Sequence, residues 1–386
     1  MSPPPTVLFT AFEPSGDALA ASLIKALRRS RPEVQVAGFG GPRMKQAGAQ
    51  LLGKTTEHAV MLLGAAMQAN THYQRLRKLS VWLKHNRITA LVPVDSPAAN
   101  WSVCRLIRRR QRQAKIVHLV APQVWAWGGW RIHKLRRLTD QLLCLLPFEP
   151  QWFERRDVPA TFVGHPLFDP PPSDPPEPTR LEGLPANAAP ALALLPGSRP
   201  KELRANWPTM LQTFDRLRAQ HSKLQAVVAA ASRDAGELIL RMTPRGKMPI
   251  KIVWGRTGDI LSWADVALVV SGTATLEAAA HGTPQVAMYN ARRWGWPIAR
   301  QMLQIRCFTL PNLIGQSLGL GQVIPELIPH FGAVPPVERA LDRLIRNPHA
   351  SQRQKESFAR IKQCFLEKRF TEEATRVLLG KIEEGT

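Results

Sequence analysis

The sequence predicts an α/β protein of two doubly wound units with helices at its C-terminal end. Short β-branched or leucine-rich runs alternate with longer amphipathic ones, which implies parallel strands joined by crossover helices. The alternation is interrupted by a proline-rich stretch and then restarts, so two units are expected rather than one. From about residue 336 onward the pattern is helical only.

In the first half the candidate strands are 6–12 (TVLFTAF), 34–39 (VQVAGF), 90–95 (ALVPVD), 115–121 (KIVHLVA), 141–146 (QLLCLL) and 160–164 (ATFVG). Helical patterns lie between them near 16–29, 70–86 and 97–112. Residues 165–190 hold nine prolines in 26 positions, which excludes sheet and regular helix, so they read as a linker. Beyond it, strands are expected at 191–195, 224–231, 250–254, 266–270 and 285–289, with helices near 201–220, 233–242, 274–281 and 292–304. The expected organisation is therefore a first domain over 1–164, a linker over 165–190, a second domain over 191–335 and closing helices over 336–386. Two such units leave a cleft between them, and ligands of open α/β sheets sit at the carboxyl ends of the strands.

The 386 residues suffice for two cores, and 44% hydrophobic with 21% charged residues describes a globular chain. Four cysteines without C-x-x-C spacing argue against a disulfide framework or zinc site and fit a reducing cytoplasm. The N-terminus has no basic region before its short apolar run, and the longest apolar stretch, Ala59–Met67, is about half of what a membrane span needs. A non-exported, non-integral protein is expected. The net charge of +23 is concentrated in the first half, at Arg105, Arg108, Arg109, Arg110, Lys134, Arg136 and Arg137 among others. Such a field suits nucleic acid, an anionic membrane face or phosphorylated substrates. No zinc-finger spacing or aromatic RNA-binding pattern is present, so nucleic acid is not expected.

Three turns that follow strands carry suitable chemistry. The first, FEPSGD (12–17), offers Ser15 and Gly16 at a helix start, with Glu13 and Asp17 as candidate bases for an acceptor hydroxyl. Ser15 or Asp17 serves equally well as a helix cap. The second, LLPGSRPKEL (194–203), turns tightly through Gly197 and Ser198 and projects Arg199, whose planar guanidinium suits a phosphate. The plainer alternative is an exposed arginine capped by Glu202. The third, VVSGTATLEAAAHGTP (269–284), places Ser271, Gly272 and Thr273 where a helix begins, with free N–H groups and partial positive charge. Glu277, one turn later, can accept from a ribose diol or lie on a solvated face. No G-x-x-x-x-G-K-[ST] loop exists, and no G-x-G-x-x-G follows the first strand. His118, His165 and His281 lack metal-ligand spacing. Trp125, Trp127 and Trp130 suit either stacking on a sugar or base or packing.

These stretches, with GFGGPRM (38–44), VAPQVWAW (120–127), LPFEPQWF (147–153), FVGHPLFD (162–169), LPNLIGQ (310–316) and VIPELI (323–328), resemble in order and spacing the lipid-A-disaccharide synthase family. The resemblance covers about residues 6–335. It implies a GT-B fold and an inverting, metal-independent hexosyltransferase without cofactor. Such an enzyme moves diacylglucosamine from its UDP derivative onto diacylglucosamine 1-phosphate and releases UDP. It further implies a UDP site at Gly197, Ser198, Arg199, Ser271, Gly272, Thr273, Glu277 and Asn312, a return of the C-terminal helices to the first domain, and a homodimer. The basic first domain would then face a phosphorylated lipid acceptor and an anionic inner-membrane surface, giving a cytoplasmic, peripheral protein. The stretch 59–84 either touches lipid or forms a buried helix pair.

The departures from the family pattern lie on the acceptor side. The family's D-A-P-D-F-N reads DSPAAN here: Asp95 and Asn100 remain, but Ala98 replaces the second aspartate, a candidate general base in the family. Phe12 stands where the first loop has glycine. In V-M-G-x-x-E-V, Met61 is kept, while Leu62 replaces the glycine and Ala65 the glutamate. Three readings follow: a synthase using Glu13, Asp17 or Asp95 as base, a UDP-sugar transferase with a different acceptor, or a non-catalytic UDP- or lipid-binding relative.

Overall fold

The structure is a computed structural model and describes residues 4–55, 65–169, 184–185, 188–244, 250–291, 293 and 296–384. The chain divides into two compact units, residues 1–169 with 365–386, and residues 170–364.

The first unit runs β1 (Thr6–Ala11), α1 (Pro14–Ser30), β2 (Gln35–Gly40), α2 (Pro42–Gln46), β3 (Gln50–Lys54), α3 (Ala65–Trp82), β4 (Ala90–Val94), α4 (Pro97–Arg110), β5 (Lys115–Leu119), α5 (Ile132–Leu138), β6 (Gln141–Cys144), α6 (Glu149–Glu154) and β7 (Ala160–Phe162). Its seven strands form a parallel sheet in the order β3-β2-β1-β4-β5-β6-β7. The order reverses between β1 and β4, whose ends lie side by side with Ala11 opposite Val94. Alternate residues Val7, Phe9 and Ala11 pack with Leu23, Ile24 and Leu27 of α1 on one face. Pro14, Pro42 and Pro97 each open a helix, where the missing N–H costs nothing because that group has no intrahelical partner anyway.

The second unit runs β8 (Ala191–Leu195), α7 (Pro200–Gln220), β9 (Gln225–Ala230), α8 (Arg233–Met242), β10 (Lys251–Trp254), α9 (Thr257–Trp263), β11 (Val266–Val270), α10 (Thr273–Ala280), β12 (Gln285–Asn290), α11 (Trp296–Met302), α12 (Leu310–Ser317), β13 (Glu326–His330), α13 (Val334–Arg346) and α14 (Pro348–Leu366). Six parallel strands take the order β10-β9-β8-β11-β12-β13, reversing between β8 and β11. Leu192 and Leu194 face a core with Leu203, Trp207 and Met210 of α7, while Ala193 and Leu195 face Ile260, Leu261 and Ala278. Burial on both faces is why these strands read as unbroken apolar runs.

The last helix, α15 (Phe370–Glu383), belongs to the first unit and buries Phe370, Ala374, Leu378 and Ile382 in its core. Asp169 caps this helix, accepting from the backbone N–H of Phe370 at 2.7 Å and from Thr371 Oγ1 at 2.9 Å. Two boundaries therefore differ from the sequence reading. Residues 165–169, read as linker, are tied into the first unit by Asp169. Of residues 336–386, read together as returning helices, α13 and most of α14 lie in the second unit, and the return begins at Phe365. Two strands went unread, β3 and β13, both at sheet edges; Pro329 inside β13 is tolerated because an edge strand has one unpaired side.

Candidate functional site

Each unit carries its chemistry at its own strand-order reversal. In the second unit, β8 leads into 196–199 and β11 into 271–273, so adjacent strands deliver both loops to the same end of the sheet. Gly272 has φ +155°, a conformation that side-chain-bearing residues rarely adopt, and it opens α10 with Thr273 exposed beside it. The first N–H groups of α10 have no i−4 carbonyl and meet whatever lies at that end. Glu277 sits one turn inside the helix, half-buried. Among the described residues its carboxyl has no hydrogen-bond or ion-pair partner, and burial pushes its pKa up.

The other loop is held by Glu202. One carboxylate oxygen accepts from the N–H of Ser198 at 3.1 Å and of Arg199 at 3.2 Å, and the other lies 3.1 Å from Arg199 Nη1. Gly197, at φ +104°, turns against this carboxylate; a Cβ there would stand 2.9 Å from Glu202 Oε2. The Ser198 and Arg199 amides are thus occupied, and what the loop offers a ligand is the Arg199 guanidinium, its side chain 70% exposed. Ser271 likewise donates its hydroxyl proton to the Phe308 carbonyl at 3.0 Å, which leaves it only as an acceptor.

Asn312 is a brace. Its Oδ1 accepts from the N–H of Val323 at 2.7 Å and Ile324 at 2.8 Å, and its Nδ2 donates to Ile324 O and Glu326 Oε1. Every valence of the buried amide is taken, so direct contact between this side chain and a nucleotide, as the resemblance implied, does not fit the geometry. Glu326 in turn receives the N–H groups of Phe308 and Thr309. It lines a cavity of about 340 Å³ with Arg306, Phe308, Gln316 and Gln322. Arg306 and Glu326 were not singled out in the sequence; Glu326 lies in VIPELI, whose role appears only once the fold brings it to residue 308. A larger cavity of about 620 Å³, lined by Arg343, Arg353 and Arg360, contains none of the expected site residues.

In the first unit the reversal lies between β1 and β4. Glu13 follows β1 and accepts from Ser96 Oγ at 3.0 Å, across from the end of β4. Asp95 and Ser96 have φ of +46° and +38°, a left-handed pair closed by Pro97. Asn100 is buried beneath them, donating to Asp95 O at 2.8 Å and accepting from Thr10 Oγ1 at 2.6 Å. It holds the two strand ends together rather than facing a ligand. Ser15 is exposed on the first turn of α1, and Gly16 packs below it against Ala11 and Val94.

Asp17 is not a base. It is 2% exposed, and its carboxylate accepts from the N–H groups of Gly41, Arg43 and Met44 at 2.7–3.1 Å, capping α2. The sequence offered Glu13, Asp17 and Asp95 alike; the fold keeps Glu13 and Asp95 at the strand ends and removes Asp17. Phe12 lies 5.9 Å from the His72 ring, with Arg75 6.0 Å above it, so the bulky departure is accommodated against α3. Ala98 is exposed in the first turn of α4. Met61 and Leu62 lie outside the described residues, as does the start of the 59–84 stretch.

Trp125 is buried and donates Nε1–H to Glu149 at 3.0 Å; Trp127 and Trp130 are exposed, with the Arg131 guanidinium 3.8 Å over the Trp127 ring. Burial raises Glu149 to about 7, against the lowering effect of the Leu146 and Trp125 hydrogen bonds. Among the described residues neither ring nitrogen of buried His118 has a well-formed hydrogen bond, and burial lowers it to about 4 against weaker backbone contacts to Leu119 and Val120. His165 accepts from the N–H of Leu167, and His281 pairs with Ser262. Among the described residues no three His, Cys, Asp or Glu side chains converge on a metal-sized site.

Two doubly wound parallel sheets, each with polar loops at its reversal, define the GT-B class of fold. The chain resembles the glycotransferase of kitacinnamycin with a TM-score of 0.65 at 14% identity, covering 98% of this chain and 99% of that one. It resembles MurG of Acinetobacter baumannii with a TM-score of 0.55 at 14% identity, covering 99% and 100%. The family is more specific. The lipid-A-disaccharide synthetase family model matches residues 7–378. The lipid-A-disaccharide synthase of Anaeromyxobacter dehalogenans is 34% identical over 351 residues, 90% of each chain. That of Azoarcus sp. is 33% identical over 356 residues, 90% of this chain and 88% of the relative. The chain belongs to the lipid-A-disaccharide synthase family.

Proposed function

We propose that this chain is a lipid-A-disaccharide synthase, transferring diacylglucosamine from its UDP derivative to diacylglucosamine 1-phosphate. In this reading the UDP lies across the carboxyl ends of β8 and β11. The observation that carries the donor half is the half-buried Glu277 carboxyl, without a partner among the described residues, on the helix whose open end lies at the strand-order reversal. It accepts the ribose hydroxyls, while the first N–H groups of α10 and the Arg199 guanidinium meet the diphosphate. Arg199 exchanges its contact with Glu202 for the ligand.

Glu13 is the general base. The acceptor hydroxyl oxygen attacks the anomeric carbon, its proton passes to Glu13, and the bond to the diphosphate breaks with its electron pair leaving on UDP. Inversion follows from attack opposite the leaving group. Charge on the departing diphosphate is met by Arg199 and the helix end, so the reading requires no metal. In the same reading the protein works at an anionic membrane surface, which the acceptor's lipid chains and the basic first unit support; among the described residues no helix is long and apolar enough to cross a membrane. A homodimer is part of the same reading.

Formation of disaccharide and UDP from UDP-diacylglucosamine tests the whole, with and without diacylglucosamine 1-phosphate. Acceptor-dependent UDP release supports it. UDP binding without disaccharide would leave only the donor half standing and turn attention to Ala98 and Phe12.

A further inference from the structure

A second concentration of charge lies away from the strand ends that carry Glu13. Arg105, Arg108 and Arg109 from α4 and His133, Lys134 and Arg137 from α5 line a cavity of about 410 Å³. The single carboxylate paired with this set among the described residues is Asp140, which lies 2.6 Å from Arg108 Nη2 and also accepts from the N–H of Ile116 at 2.6 Å. Arg108 Nη1 donates to Ala114 O. Arg105 is turned onto the Trp101 carbonyl through Nε, and Lys134 Nζ stands 5.9 Å over the Trp101 ring. Arg109 and Arg137 are exposed, with no ion pair among the described residues.

Ala114 and Asp140 immediately precede β5 and β6, so the cavity opens by the amino ends of these strands. Glu13 and Ser96 occupy the carboxyl ends of β1 and β4 in the same sheet. The cavity is thus a separate site from the one described above. Five fixed cations in one concavity repel one another, and one carboxylate leaves most of that charge uncompensated. Scattered surface arginines would spread outward; these converge from two helices. Forked guanidiniums suit the oxygens of a phosphate, and the volume of about 410 Å³ fits a phosphomonoester or diphosphate rather than a duplex.

We propose that this cavity is a second anion site that binds a phosphate-bearing ligand, either a soluble phosphate or the head group of an anionic lipid. The proposal stands independently of the transfer reaction.

The test compares the full chain with Arg109→Gln/Arg137→Gln and with Arg87→Gln/Arg155→Gln, an equal charge change on exposed residues outside the cavity. Inorganic pyrophosphate is titrated calorimetrically in the presence of saturating UDP, which keeps the donor loops filled. Phosphatidylcholine vesicles with and without phosphatidic acid are co-sedimented with each protein. Unchanged UDP affinity in the variants reports that they fold, and a failure of UDP to bind even the wild type would count against the donor site alone. About tenfold or more weaker pyrophosphate binding in the cavity variant only supports a soluble-phosphate site. Vesicle binding that needs both phosphatidic acid and the two cavity arginines supports a head-group site. Equal losses in both variants, or none in either, overturn the proposal and leave the charge as a general field; so does duplex DNA binding that the two variants reduce equally.

Discussion

The two strand-order reversals have the same topology and opposite chemistry. In the second unit the end of α10 is left open: Gly272 clears the approach, and Glu277 has no partner among the described residues. In the first unit nearly every polar group at the reversal is already occupied. Asn100 ties Thr10 to Asp95, Asp17 closes α2, and Ser96 holds Glu13. Both units brace the loops with a buried asparagine, Asn100 in one and Asn312 in the other, each satisfied by its own unit. The difference teaches that the same topology leaves a helix end and a carboxyl open in one unit, while in the other it ties its polar groups to one another.

The sharpest test of that contrast is Glu13→Gln. It is expected to lower disaccharide formation by ~10²–10⁴ while leaving UDP affinity unchanged. If Asp95→Asn gives that loss and Glu13→Gln does not, the fixed carboxylate has been misplaced. Asp17→Asn comes next. With an amide unable to accept all three backbone N–H groups, stability should fall by about 3 kcal/mol in denaturant titrations. An equally stable variant would show that the α2 cap is dispensable.

Glu149 gives an effect of similar size that depends on pH. Burial holds its folded pKa at about 7, above the ordinary 4.5 of the group, so the folded state favours the protonated form. Its contribution is therefore fully present below the unfolded value and is lost as pH rises through about 7, on the order of 3 kcal/mol. Melting curves should show that decline in the wild type and a flatter profile in Glu149→Gln. Parallel profiles would refute the assignment. The smallest effect expected is on the donor side, where Glu277→Ala should weaken UDP binding about tenfold without lowering stability. A tighter-folded variant with unchanged UDP affinity would make Glu277 a buried liability rather than a ligand group.

Much of this arrangement was legible in the sequence. The central strands announce themselves because burial on both faces demands unbroken apolar runs, as in Ala191–Leu195 and Val266–Val270. The edge strands β3 and β13 did not, because half-paired segments admit Lys54, Glu326 and Pro329. The loops at 197–199 and 271–277 could be located from glycine and helix-start chemistry. Which polar atoms remain open could not, since Glu202 and Glu326 act on neighbours that only the fold supplies. Glu13 and Asp17 are four residues apart and look alike as acids. Their separation rests on α2 closing over Asp17, a contact 24 to 27 residues away in the chain.

The capping of α15 by Asp169 bears on how the protein is made. The first unit is interrupted in the chain by the whole of the second, and its core is closed by Phe370, Leu378 and Ile382 near the end of the sequence. On a ribosome, the first unit's sheet must wait with an uncovered apolar face until residues 370–382 have emerged, whereas the second unit can finish before them. A stop codon just before Phe365 would therefore spoil the unit whose sheet is made before the other, and a chaperone would be needed longer by that sheet than by the unit made after it.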